Sequence, residues 1–178
     1  MDLFDVGILE TNDHFDPMSR IINQRTSTWL THAILFKDEK GNAWDPRPGG
    51  ILDGHISDYA GRRISILRFE GLYDRVTALA WMNKTQKKCK GYDFKALLGF
   101  LTGNESWESK HYWYCSEVPY WLFQEQHNLL TRVDMTFIYP SFFYFHRGFE
   151  LVDEFVIPGK PTEKPIEFDF NQLVVGSP

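Results

Sequence analysis

Residues 31–45 place the tightest constraint on how this 178-residue chain can fold. Thr31–Phe36 is an unbroken β-prone, apolar run, and Asp38–Asn42, with Gly41, is turn chemistry. Ala43–Asp45 then starts a return strand, so the stretch predicts a β-hairpin. Pro46, Pro48, Gly49 and Gly50 are expected to break the return strand, with Ile51-Leu52 carrying the sheet on beyond the break.

Other segments arrange themselves around that hairpin. Val6–Leu9 is a short apolar run that predicts an earlier strand, and Met18–Arg25 has the spacing of a short helix. Ile56–Tyr59 reads as one helical turn stopped by Gly61. Arg63–Phe69 alternates as a strand does. Asp74–Lys88 gives the clearest helical pattern: Asp74 can cap it, Val76, Leu79, Ala80 and Asn83 keep helical spacing, and Gly91 stops it. Asp93 is placed to cap a second helix over 94–101, 104–110 reads as a polar loop, and Cys115–Gln126 as a helix with Pro119 in its first turn. Phe149–Ile157 alternates again. The order is strands and a hairpin first, then helices, then a strand, which predicts an α+β fold: an antiparallel sheet with helices packed on it.

Bulk properties narrow the class. Hydrophobic residues make up 43% and aromatic residues 16%, enough for one buried core over 1–157. Past Pro158 the chain changes character, and 158–178 reads as an extended tail in which Ile166–Val175 has the makings of a strand that could dock on a protein partner. The net charge is −5 and no basic block occurs, which argues against a nucleic-acid partner. No apolar run approaches the ~20 residues of a membrane span. Met1–Asp5 lacks the pattern of a secretory leader, so synthesis in the cytoplasm is expected. Two cysteines, Cys89 and Cys115, make no disulfide framework.

Cys115 stands where an apolar approach, Tyr112-Trp113-Tyr114, meets a helix start. Unpaired N–H groups and the helix dipole at such a position favour a thiolate. The same groups can receive an oxyanion. Burial as a structural thiol is the alternative, and it is the commonest fate of a free cysteine. His32, near the start of an otherwise apolar strand, is costly to bury without partners and supplies a candidate base on a rigid platform. Asp45, returning alongside on the hairpin, is the natural group to orient the imidazole. His14, His55, His111, His127 and His146 lack spaced partners. No Cys-x-x-Cys or His-x-x-x-His spacing occurs, so no metal or other cofactor is expected.

Taken in order, an early strand, Thr31-His32, Asp45, the strand ending at Arg68, the helix, Gly91-Tyr92-Asp93 and Tyr114-Cys115-Ser116-Glu117 resemble the circularly permuted (YiiX/YaeF-like) branch of the NlpC/P60 papain-like cysteine hydrolases. The likeness covers about residues 4–157. It departs from the family pattern in Val118-Pro119, where a small apolar pair is common, and in Asp45, where Glu is common. The resemblance implies a permuted papain-like fold, with Cys115 as nucleophile, His32 as base and Asp45 as orienter. It also places Tyr92, Ser116 and Glu117 at the substrate and oxyanion side, with Glu117 either capping the helix start or pairing with Arg68.

The expected activity is hydrolysis of an amide bond through an acyl-enzyme, with cell-wall peptide as one substrate class and lipid amides or esters as another. Two alternatives stay open at this stage. One is a structural or assembly part, for instance of a phage particle; the other is an acyltransferase or thioesterase built on the same site. The missing secretory leader and the strand-like tail past Pro158 motivate the first, and both also fit a hydrolase carried in a virion.

Overall fold

The hairpin forms as expected, and the rest of the sheet is built outward from it. In the computed structural model, residues 1–10, 23, 28–96, 111–127 and 138–160 are described. Asp38 makes the turn: its carboxylate accepts the N–H groups of Lys40 and Asn42 and the Asn42 side-chain amide, while Gly41 takes φ +92°. The strands are β1 (Val6–Glu10), β2 (Leu30–Phe36), β3 (Asn42–Arg47), β4 (Gly50–His55), β5 (Arg63–Phe69) and β6 (Phe149–Val156). They form one six-stranded sheet in the order β4-β3-β2-β1-β5-β6, with every neighbouring pair antiparallel. The helices are α1 (Arg75–Lys88), α2 (Glu117–His127) and α3 (Pro140–Phe145), and the fold is α+β.

The sheet buries both faces at its centre. On one face Val6, Ile8, Ala33, Leu35, Leu67 and Phe69 pack against Ala78 and Met82 of α1, Val118, Leu122 and Phe123 of α2 and Phe143 of α3. On the other, Leu9, Ile34, Phe36, Ile64 and Ile66 are covered by Tyr59 and Ile157. A single 3-10 turn, Ile56–Tyr59, carries that Tyr59, and Gly61 follows it with φ +81°. The N-terminus is held at the sheet by Arg68, whose guanidinium grips both oxygens of buried Asp5 at 2.9 and 2.7 Å and also meets Asp2.

Several expectations need correcting. β3 runs through Pro46 to Arg47 instead of stopping at Asp45, and Pro48-Gly49 form the connection to β4. The β2–β3 ladder ends at Leu35↔Trp44, so Pro46 lies where a missing N–H removes no bond to β2. Helix α1 is capped by Asp74 as predicted, but its inward residues are Ala78, Met82 and Thr85, while Val76 and Leu79 face outward. Gln86 ties the helix to the sheet by bonds to the Ile51 carbonyl, Asp53 and the Trp44 indole. Helix α2 begins at Glu117 and not at Cys115. The expected helix at 18–25 and loop at 104–110 lie outside the described residues (Asn23 apart), as do the tail strand at 166–175 and all but the first turn of the helix at 94–101.

Candidate active site

The site begins as an irregularity in β2. Pairing with β1 runs Leu9↔His32 and then Glu10↔Leu30, leaving Thr31 as the extra residue of a bulge beside His32. Bulges re-aim the side chains next to them. On the other side of β2, only Leu35 and Phe36 pair with β3 although both strands continue. The two strands therefore part at the level of Ile34, and the imidazole of His32 bridges the opening to Asp45.

His32 Nε2 lies 2.9 Å from Asp45 Oδ1. Asp45 is wholly buried, and its second oxygen accepts the Tyr59 hydroxyl at 2.6 Å and Arg47 Nε at 2.6 Å. Gly54, paired across the β3–β4 ladder with Ala43, makes this carboxylate position accessible: a Cβ at residue 54 would fall 2.9 Å from Asp45 Oδ2. With Nε2 held by Asp45, Nδ1 is the ring nitrogen left to act on the buried Cys115 thiol, whose ionisation is coupled to that of His32.

Backbone alternation brings a further donor to that sulfur. Phe36 gives its N–H to Asp5 and accepts from Phe4, so its peptide groups face β1. By the two-residue period, those of Ala33 face β3. The β3 ladder has already ended there, and the Ala33 N–H is left to favour the ionised form of the Cys115 sulfur. Tyr92 adds its hydroxyl. It is delivered by a short parallel contact of 90–93 with 111–113, in which Lys90 N–H bonds His111 O and Trp113 N–H bonds Gly91 O.

Charge follows from these contacts. Burial alone would pull the His32 pKa down, but the hydrogen bonds to Asp45 and Cys115 and their negative charges outweigh it and hold the imidazolium up to about 10. Burial pushes the Cys115 thiol up, and the opposing pull of His32, the Ala33 N–H and Tyr92 leaves it below its ordinary value. Burial likewise acts against the Asp45 carboxylate, yet His32, Arg47 and Tyr59 hold it below the usual carboxylate range. The arrangement thus favours ionisation of the thiol beside an imidazolium backed by a carboxylate. The thiol is 1% exposed and the imidazole side chain 16%, so the pair is largely shielded from water.

The residues flanking Cys115 are tied to the scaffold. The Tyr114 hydroxyl accepts the Ile138 N–H at 2.9 Å, and the Ser116 hydroxyl donates to the Ile138 carbonyl. Glu117 accepts the Tyr114 N–H at 3.0 Å and so fastens the start of α2, while the Arg68 guanidinium is engaged with Asp5 and Asp2. Ser116→Ala removes the donor to a buried carbonyl and is expected to lower the unfolding free energy by about 1–3 kcal/mol, read from urea denaturation midpoints.

The structure brings Cys115, His32, Asp45 and Tyr92 together and places the Ser116 and Glu117 side chains on structural bonds beside them. Sequence reasoning missed Arg47 and Tyr59. Arg47 had a signal, since residues i and i+2 of a strand share a face and it follows Asp45 at that spacing. Tyr59 had none, because it reaches Asp45 only when the turn after β4 folds back over the sheet. Cys89, the other thiol, is free and half-buried, directed at the Gly91 carbonyl. Among the described residues no cluster of three or more His, Cys, Asp or Glu is arranged to hold a metal ion, and no helix is long and apolar enough to cross a membrane. Neither a comparison with protein-family models nor one with curated proteins gives a match to this chain.

Proposed function

We propose that the protein is a cysteine hydrolase that cleaves an amide bond. The observation that carries this reading is the convergence of Cys115, His32 and Asp45 from the approach to a helix, a bulged strand and its hairpin partner, with His32 bonded to Asp45 at 2.9 Å and electrostatically coupled to the Cys115 thiol. The Cys115 thiolate attacks the substrate carbonyl carbon, and the C=O electrons move to oxygen. Tyr92, whose hydroxyl helps to ionise the sulfur, is the candidate donor to that oxyanion. Collapse expels the amine, which takes its proton from His32, and leaves a thioester. His32 then removes a proton from water, the resulting hydroxide displaces the thiolate, and the acid departs. Asp45 keeps the imidazole in register and stabilises its charged form throughout.

The same reading extends to ancestry and substrate. A base strand preceding a nucleophile helix is the order of the circularly permuted NlpC/P60 hydrolases, and the six-stranded antiparallel sheet is compatible with a permuted papain-like fold. Peptide stems of bacterial cell wall are the first substrate class on that basis, and lipid amides or esters the second.

Incubation with purified muropeptides and with a long-chain N-acyl amide, followed by mass analysis of the products, tests the proposal. New amine and acid termini should appear with the native chain and vanish with Cys115→Ala. Acyl groups passing to an added amine in preference to water would reassign the site to acyl transfer. Intact substrates together with no covalent adduct on Cys115 would refute the hydrolase reading.

A further inference from the structure

We propose that Tyr59 and Arg47 are positioning residues that act through Asp45 to fix the orientation and charge of His32. The inference rests on the thiol-hydrolase reading and deepens it. The two oxygens of Asp45 have separate tasks: Oδ1 meets His32 Nε2 at 2.9 Å, while Oδ2 takes the Tyr59 hydroxyl and Arg47 Nε, each at 2.6 Å. Two donors on Oδ2 stop the carboxylate from rotating away from the ring. They also keep it ionised in a site with little water.

Both donors are themselves anchored. Arg47 reaches on to Asp58 at 3.3 Å, and its guanidinium carbon lies 5.3 Å from the Tyr59 ring centroid. Arg62 approaches the same ring at 5.6 Å. The Tyr59 ring in turn packs against the His32 ring at 5.7 Å. The groups facing one another are therefore Cys115 and Tyr92, His32 on β2, Asp45 and Arg47 on β3, and Asp58, Tyr59 and Arg62 in and after the 3-10 turn. Along the direct line, the charges alternate: thiolate, imidazolium, carboxylate, guanidinium, and the exposed carboxylate of Asp58. Each buried charge has an opposite neighbour, and the chain of pairs runs from the sulfur to solvent. Removing a link nearer the solvent weakens the next link inward.

Tyr59→Phe keeps the ring and deletes the donor. The readout is the rate of iodoacetamide alkylation of Cys115 in the full-length chain between pH 4 and pH 10, followed by mass spectrometry of the Cys115 peptide with Cys89 as internal reference. With one donor lost, Asp45 holds the imidazolium less firmly and the thiolate loses part of its partner. The acid limb of the Cys115 profile should move up by about one pH unit, which is about tenfold slower alkylation at pH 5, with the plateau rate retained. Arg47→Gln should move the limb the same way, and Arg47→Lys should restore part of the shift by keeping the charge; these two variants carry the test if Tyr59→Phe does not fold. A depressed acid limb in the native protein that His32→Gln abolishes, yet Tyr59→Phe and Arg47→Gln leave in place, would overturn the positioning role and spare the hydrolase. A native Cys115 profile no different from that of Cys89 would instead remove the hydrolase reading itself.

Discussion

His32→Gln is expected to slow alkylation of Cys115 at pH 6 by about one to two orders of magnitude while leaving Cys89 unchanged. A free thiol with a pKa near 8.5 is only about 0.3% thiolate at that pH. Facing an imidazolium, the Cys115 thiol is held below its ordinary value and is more ionised than a free thiol. Lower basicity also lowers intrinsic nucleophilicity, by roughly half the gain on a logarithmic scale, so the net advantage is smaller than the change in ionisation. Glutamine fills much of the space of the imidazole but carries no charge, and burial is then the dominant influence on the thiol, pushing it up. A Cys115 rate that His32→Gln does not change would mean that the sulfur is not activated by the histidine.

The second large effect concerns stability. Asp45→Asn is expected to lower the unfolding free energy by about 3–5 kcal/mol, because it leaves a buried imidazolium and a guanidinium around a neutral group. For a chain of this size that corresponds to a fall of roughly 10 °C in the melting midpoint. The difference from the native protein should depend on pH. The folded pKa of Asp45 lies below its unfolded value, so its contribution is present above about pH 4 and is lost as pH falls through the depressed folded value. That of His32 is raised, so the stabilisation of its charged form is complete below about pH 6.5 and is lost as pH rises toward about 10. The gap between native and variant midpoints should therefore be widest between about pH 4 and pH 6.5 and narrow on either side. Thermal melts across pH 3–10 would measure it. A gap that is constant with pH would mean that the charge on Asp45 is not what stabilises the site.

The hairpin of β2 and β3 and the strand Arg63–Phe69 were legible because local signals agreed: β-prone runs, an aspartate able to bind the turn N–H groups, and a glycine where φ turns positive. Cys115, His32 and Asp45 were legible as residue types in suitable places. Their convergence depends on features without a local signature, namely the bulge at Thr31 and the parting of β2 from β3 beyond Leu35. The inner face of α1 was misread for a related reason. Val76 and Leu79 have the same helical period as Ala78, Met82 and Thr85, and only tertiary packing selects which of the two stripes turns inward. The start of α2 shifted because the Ser116 hydroxyl bonds to Ile138 and Glu117 secures the first turn.

The bonds around Cys115 bear on how its short motif should be read in other chains. Tyr114 and Ser116 clamp the backbone of Ile138 from its two sides, and Glu117 fastens the turn that carries them. Selection for folding alone is enough to retain these three residues, whether or not any chemistry is performed. A descendant that lost its activity would thus keep the frame of the motif and let the central cysteine drift. The diagnostic of a working site is the joint presence of the sulfur and its distant histidine, while the neighbours testify only to the architecture that holds them.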